Sequence, residues 1–397
     1  MDEAITITTR PGHPDFLDLP WEEPLADWKH ERLVELPKGI SRHTVRFVEY
    51  STGIYAIKQL PTTAADRDYT MLRKLEEEEG PGVQAVGLVT NAEIDPGAEE
   101  SAALITRYLD YSFSYRELLS GSGFGKRRNQ MLGAFAMLLV ELHLMGFYWG
   151  DCSLSNVLYR FDAEEIQTVL VDAETSEFRE TGLSDGQRAE EIEIMIQNVA
   201  GGMLDIAAAA GKDLDEADLR LGEDIAERYH GLWDELNRST VIGADERYRI
   251  QQRVHAIHDL GFDVEDVTLI PEASGARLRL RVSAAGRRYH RNRLRDLTGL
   301  RASEAQARQI LSDLRYYEVH HPITSDKAVN AVRWRVGEFE PWIQRVREAV
   351  GEDTDPIQAF CDLLHHRYAI SVQHQSDVGT EAAFTDWLEK GKPGYQI

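Results

Sequence analysis

The sequence predicts an α+β protein: a two-lobed part, then a smaller α/β part and a helical tail. Three observations predict it. Alternating, β-branched runs over residues 54–60 and 102–109 mark strands early in the chain. Helical spacing takes over from Gln130, with Leu132, Phe135, Ala136, Leu139 and Leu142 on one stripe. From about Asp245, helices and a strand pair return in a stretch whose local charge is reversed. The expected divisions are an N-terminal extension over 1–29, a first lobe over 30–106, a second lobe over 107–244, an arginine-rich α/β part over 245–335 and a helical region over 336–397.

Taken in order, residues 35–47 read as strand, turn, strand, and Gly39 in the turn can bring backbone N–H groups close to a phosphate. Residues 54–60 form an alternating strand with Lys58 in its middle. Residues 65–79 read as a helix with Leu72 and Leu75 on one face. Asp68 on that helix lies where an acidic partner of Lys58 belongs, or on a solvated face. Residues 102–109 form a strand leaving into Asp110, at a hinge between lobes. The helix over 130–145 is buried and feeds a loop, and His143 on it reads as a core histidine.

That loop, Trp149-Gly150-Asp151-Cys152-Ser153-Leu154-Ser155-Asn156, is the most informative stretch of the chain. It places Asp151 and Asn156 five residues apart before an apolar strand. At this spacing an Asp can accept the proton of an attacking hydroxyl while an Asn holds a metal ion. The bland alternative is a turn in which both side chains bond nearby backbone. Downstream, residues 168–171 form a short apolar strand that ends in Asp172 and delivers its carboxylate to the mouth of a cleft.

These motifs, in this order, resemble the protein-kinase-like superfamily. Over residues 30 to about 210 the chain is similar to its small, atypical branch of lipopolysaccharide (Kdo/WaaP-like) and aminoglycoside-type kinases. The likeness rests on His143-Leu144-Met145-Gly146, on Gly150-Asp151 with Asn156, and on Val169-Leu170-Val171-Asp172. The whole length, including Gly39-Ile40-Ser41-Arg42-His43 and Leu183-Ser184-Asp185-Gly186-Gln187-Arg188, resembles a bacterial family that joins such a part to a C-terminal domain of unknown function 4032.

The resemblance implies a two-lobed protein-kinase-like fold, ATP and Mg2+ as cofactors, and transfer of the γ-phosphoryl group to a hydroxyl of a small-molecule or lipid-linked acceptor. By the same likeness Gly39, Ser41, Arg42 and His43 would cover the phosphates, Lys58 would hold them with Asp68 orienting it, and Tyr108 would lie at the hinge beside the base. Asn156 and Asp172 would bind magnesium, and Asp151 would take the acceptor proton. Trp149 stands where these kinases usually have His, which removes a usual backbone anchor. Glu174 stands where a Gly is usual, as a further metal carboxylate or as a space filler. No second or third Gly in the phosphate loop and no Ala-Pro-Glu segment after Asp172 are found, which argues against a protein kinase run by an activation loop. The competing class is an inactive nucleotide-binding pseudokinase that serves as a signalling, phosphate-binding or nucleic-acid-binding module.

Composition bounds the rest. The 397 residues are 42% hydrophobic and 28% charged, as in soluble globular proteins, and a net charge of −24 repels nucleic acid and anionic lipid from the molecule as a whole. No apolar run approaches 18 residues, and the opening Met1-Asp2-Glu3-Ala4 is acidic. Cys152 and Cys361 are isolated from each other, so a reduced, cytoplasmic setting is expected, with Cys152 a packing residue.

Beyond Asp172, Ser184 with Gln187 starts a capped helix through about 210, and Glu190, Glu191 and Glu193 near its start suit the helix dipole. A second helix is expected over 216–236, then a helix over 246–259, strands over 264–270 and 277–282, and a helix over 304–317. Nine arginines fall between Arg277 and Arg301, against Asp296 as the one acid. They could grip a phosphate-rich partner, but pairing with the acidic kinase-like part is the favoured reading. Helices are expected again from Phe339 and from Asp355 to Tyr368. His320, His321, His365, His366 and His374 resemble metal ligands, yet adjacent helical histidines point about 100° apart, so no metal is expected there.

Overall fold

The structure, a computed structural model, describes residues 4–36, 43–92, 94, 101–115, 124–211, 216–243, 245–272, 277–321 and 326–395. The chain forms two compact units. The first comprises 1–159 and 168–233, the second 160–167 and 234–397.

The first unit opens with a six-stranded antiparallel sheet made from β1 (Thr6–Thr9), β2 (Leu33–Val34), β3 (Val45–Tyr50), β4 (Gly53–Leu60), β5 (Ala85–Thr90) and β6 (Ala102–Arg107). Its order is β1-β5-β6-β4-β3-β2. The period of two decides which side chains face which layer. On β4, Tyr55 and Ile57 are buried against Phe16, Leu25, Val48 and Ile105, while Ala56 and Lys58 point to the opposite face. Residues 16–28, expected only as an extension, are thus the cover of the sheet, with Trp21 and Trp28 packed edge to face at 5.0 Å. Helix α1 (Thr62–Glu77) packs on β5 and β6 through Leu72 and Leu75.

The rest of this unit is mainly helical. Helix α2 (Phe124–Leu144) buries Met131, Leu132, Phe135, Leu138, Leu139 and Leu142, one stripe at 3.6-residue spacing. Two short strands, β7 (Phe147–Tyr148) and, later, β10 (Glu177–Phe178), pair with each other. Between them run β8 (Val157–Asp162) and β9 (Glu165–Leu170), a hairpin that leaves the first unit after Tyr159 and returns to it at Thr168. Helix α3 (Asp185–Ala210) starts on the expected Ser184–Gln187 capping box and ends at Gly211 in the left-handed region. Helix α4 (Leu221–Asn237) completes the unit with Ile225 and Tyr229 buried.

The second unit carries a three-stranded antiparallel sheet, β11 (Thr240–Gly243), β12 (Val264–Pro271) and β13 (Arg277–Ala284), in the order β11-β13-β12, with α5 (Tyr248–Asp259) packed on it. Its core is otherwise helical. Helices α6 (Tyr289–Thr298), α7 (Glu304–His320), α8 (Lys327–Trp334), α9 (Glu340–Val350), α10 (Pro356–His374) and α11 (Gly379–Glu389) enclose Trp334, Phe360, Leu363 and Trp387. Ala163, from the hairpin tip, belongs to this core. Of the arginine run, Arg279 pairs with Glu272 at 2.6 Å, Arg288 with Asp263 at 3.4 Å and buried Arg287 with Glu165 at 2.5 Å. Glu165 is an acid of the expected second lobe, but it stands in the second unit. Among the described residues no group of three or more His, Cys, Asp and Glu side chains is placed to hold a metal, and no helix is long and apolar enough to cross a membrane.

Candidate functional site

Lys58, Asp151, Asn156 and Asp172 line one cavity of about 730 Å³. They come from β4, from the loop after β7, and from the segment after β9. Phe47, Ala56, Val83, Leu104, Leu158 and Val171 give it an apolar lining, and Lys58, Asp151, Asn156, Asn198 and Asp205 a polar one.

Lys58 is the charge centre. Its Nζ lies 2.5 Å from Asp172 Oδ2 and 3.3 Å from Asp68 Oδ2. Burial works against the ammonium, but Asp172 and Asp68 outweigh it and hold its pKa above the ordinary lysine value. Asp68 is fully buried, so the solvated-face alternative falls. Its Oδ1 accepts the Ala173 amide at 2.8 Å, tying α1 to the residue after Asp172.

Burial pushes the Asp68 carboxyl up to about 7, against the pull of Lys58. The folded protein therefore binds this proton more tightly than the unfolded chain, and the group's contribution to stability falls as pH rises from about 4 to about 7. Asp68→Asn, which cannot titrate, should gain stability relative to wild type as pH rises through that window. Melting temperatures measured side by side across the window check this; parallel curves would remove the assignment.

The loop is held from three sides. Gly150 has φ 84°, and a Cβ there would lie 2.9 Å from the Thr175 carbonyl oxygen, so only glycine fits. Its amide donates to Glu191 Oε1 at 2.6 Å, while Glu191 Oε2 lies 2.7 Å from His143 Nε2 and His143 Nδ1 lies 2.7 Å from the Tyr229 hydroxyl. His143 is the expected core histidine. Glu191 departs from the dipole reading: it is fully buried, and it fastens the loop to α2 and α4. Trp149 also departs from expectation. Its indole Nε1 donates to the Asp172 carbonyl at 3.1 Å, so a backbone anchor is present after all, made by a larger ring packed on Phe135. Cys152 is buried, which pushes its thiol well up and keeps it protonated, in line with a packing role.

Asp151 accepts hydrogen bonds from Asn156 Nδ2 at 3.1 Å on Oδ2 and from Asn198 Nδ2 at 2.8 Å on Oδ1. Asn156 also donates to the Asp151 carbonyl at 3.1 Å. Its own Oδ1 takes none of the hydrogen bonds formed by the described residues. Asp172 Oδ1 accepts the Glu174 amide at 3.3 Å, and the Glu174 carboxylate lies 3.7 Å from His43 Nε2. His43 lines the cavity. Gly39, Ser41 and Arg42 lie outside the described residues. Tyr108 lines the cavity with its ring edge to face on Phe47 at 5.6 Å, but its amide is engaged by the Ile54 carbonyl at 3.0 Å. That amide is therefore not offered to a base.

Sequence reasoning missed Asn198 and the cavity wall around it, Gln197, Gly201, Gly202 and Asp205. A signal was available: Glu191, Asn198 and Asp205 recur every seven residues, two helical turns, on a helix otherwise read for its apolar stripe.

Two family models agree with the motif reading. Residues 49–197 match the family model of the lipopolysaccharide kinase (Kdo/WaaP) family, and residues 231–391 match that of a domain of unknown function, DUF4032. A solved structure of WaaP in complex with acyl carrier protein aligns over 51% of this chain and 79% of its own, at 13% identity and a TM-score of 0.35. No curated protein matches the chain. Residues 49–197 are thus similar to that kinase family, in a chain whose fold is α+β with a largely helical C-terminal part.

Proposed function

We propose, on the premise of a Kdo/WaaP-type kinase segment, that the chain is an ATP- and magnesium-dependent phosphotransferase acting on a hydroxyl of a small-molecule or lipid-linked acceptor. The observation that carries this reading is the convergence of Lys58, Asp172, Asn156 and Asp151 on one cavity. The donor set suits the cofactors. Asn156 Oδ1 and the Asp172 carboxylate are hard oxygen ligands of the kind Mg2+ takes, and about 730 Å³ is within the range of ligand pockets.

The apolar wall around Ala56, Val83, Leu104 and Val171 would receive the base. Lys58 would hold the phosphates as a point charge, with Asp68 fixing its direction. When bound, magnesium would neutralise charge on the transferring phosphoryl group. Asp151 would accept the acceptor's proton, its carboxylate aimed by Asn156 and Asn198. Gln197, Asn198 and Asp205 would border the acceptor. A reduced, cytoplasmic setting suits this use of ATP.

A bound nucleotide should raise the melting temperature by mass action, by the equivalent of about 2.7 kcal/mol at a hundred times Kd. Thermal scans with ATP, with and without magnesium, test binding, and phosphate release or transfer tests turnover. Absence of any magnesium-dependent shift at millimolar nucleotide would end the proposal. Binding without turnover would favour the pseudokinase.

A further inference from the structure

Asn156 immediately precedes β8 and Asp172 follows β9 by two residues, so both stand at the base of one hairpin. Their backbones are joined there, since the Val171 amide donates to the Asn156 carbonyl at 3.0 Å. The tip of the same hairpin, residues 160–167, belongs to the second unit.

The tip is held more firmly than a two-residue turn requires. Such turns favour Asn-Gly or Asp-Gly and usually face solvent; this one is Ala163-Glu164, and Ala163 is buried. Ala163 has φ 50°, a region that side chains like its own seldom adopt. Gln358 of α10 grips it on both sides: Ala163 N–H donates to Gln358 Oε1 at 2.7 Å, and Gln358 Nε2 donates to the Ala163 carbonyl at 3.1 Å. Asp162, fully buried, caps α7. Its Oδ1 accepts Ser303 Oγ at 2.5 Å and the Gln306 amide at 2.7 Å, and its Oδ2 accepts the Ala305 amide at 3.1 Å. Glu165 pairs with Arg287 at 2.5 Å and Arg308 at 3.0 Å.

We propose that the C-terminal unit sets the geometry of the nucleotide site by holding this hairpin tip, with Asp162 and Gln358 as positioning residues for Asn156 and Asp172. A paired hairpin transmits register: a one-residue slip at the tip turns every side chain along both strands to the other face. Displacement at Asp162 or Ala163 is therefore carried to the base, where the Asn156–Val171 hydrogen bond spaces the two site residues. What those residues bind rests on the kinase reading above; the mechanical coupling does not.

The test uses the full chain as wild type, Asp162→Ala, Asp162→Asn and Gln358→Ala. Asn keeps an oxygen for Ser303 and Gln306 but turns its NH2 toward the Ala305 amide, so it is a partial rescue. Amide hydrogen exchange without nucleotide should quicken in Asp162→Ala and Gln358→Ala at 156–159 and 171–173, and quicken less in Asp162→Asn. Magnesium–ATP affinity should fall by about tenfold or more in the first two, the scale on which partners behind metal ligands act. Faster exchange confined to 160–167 and 303–306, with unchanged nucleotide affinity, would overturn the proposal. If wild type binds no nucleotide, the exchange data alone decide the coupling, and only the kinase reading fails. If Asp162→Ala does not fold, Gln358→Ala decides: unchanged exchange at 156–159 and 171–173 overturns the proposal.

Discussion

Asp151→Asn is expected to lower phosphoryl transfer by about 100-fold or more, the usual worth of a positioned general base, while leaving magnesium–ATP affinity close to wild type. The geometry supports the separation. Asn198 reaches Oδ1 at 2.8 Å and Asn156 reaches Oδ2 at 3.1 Å, so an amide of the same shape keeps one acceptor and fills the same space. What it lacks is an oxygen that can take a proton. A base acts only in the transition state, so its removal lowers kcat rather than binding. The measurement pairs single-turnover rates with a nucleotide titration. Comparable turnover in the mutant would sink the base assignment, and an inactive wild type that binds nucleotide would move the protein to the pseudokinase class.

Lys58→Ala and Asp172→Asn should each abolish most of the nucleotide-dependent rise in Tm, for different reasons. Lys58 is the cation 2.5 Å from Asp172 and 3.3 Å from Asp68, and its removal would take away the point charge proposed to hold the phosphates. It also leaves two carboxylates without their shared cation, so the unliganded mutant should itself melt below wild type. Asp172→Asn keeps the shape but halves the oxygen donors, so its loss should appear chiefly in the magnesium-dependent part of the shift. Scanning both variants with nucleotide alone and with magnesium separates the two roles. If either variant shifts as far as wild type, the site is misassigned.

The residues that were legible in the sequence are those whose signal is local. Lys58 sits in an alternating strand, Asp172 ends an apolar run, and Asp151 and Asn156 share one loop, so a window of a few residues contains each pattern. The stripes of α2 and α3 and the Ser184–Gln187 cap were legible for the same reason: periodicity and caps follow from which face is buried and which end is unsatisfied. Local windows also carried the kinase likeness, because the order of these short patterns is itself a sequence property.

Packing between distant segments was not legible. Glu191 suits a helix dipole on paper, and only the fold brings it to the Gly150 amide and His143. Trp149 looked like a lost anchor because the sequence names a side chain but not where its N–H points. Residues 16–28 carry no periodicity, yet they cover a sheet whose partners lie as far away as Ile105. Ala163 contains neither the glycine nor the asparagine that announces a left-handed turn; Gln358, 195 positions later, holds that conformation. Composition and short-range pattern determined the elements, their order and the chemistry the chain can offer. Which polar groups meet inside was decided by tertiary packing, because a buried donor or acceptor must find a partner wherever the closed chain supplies one.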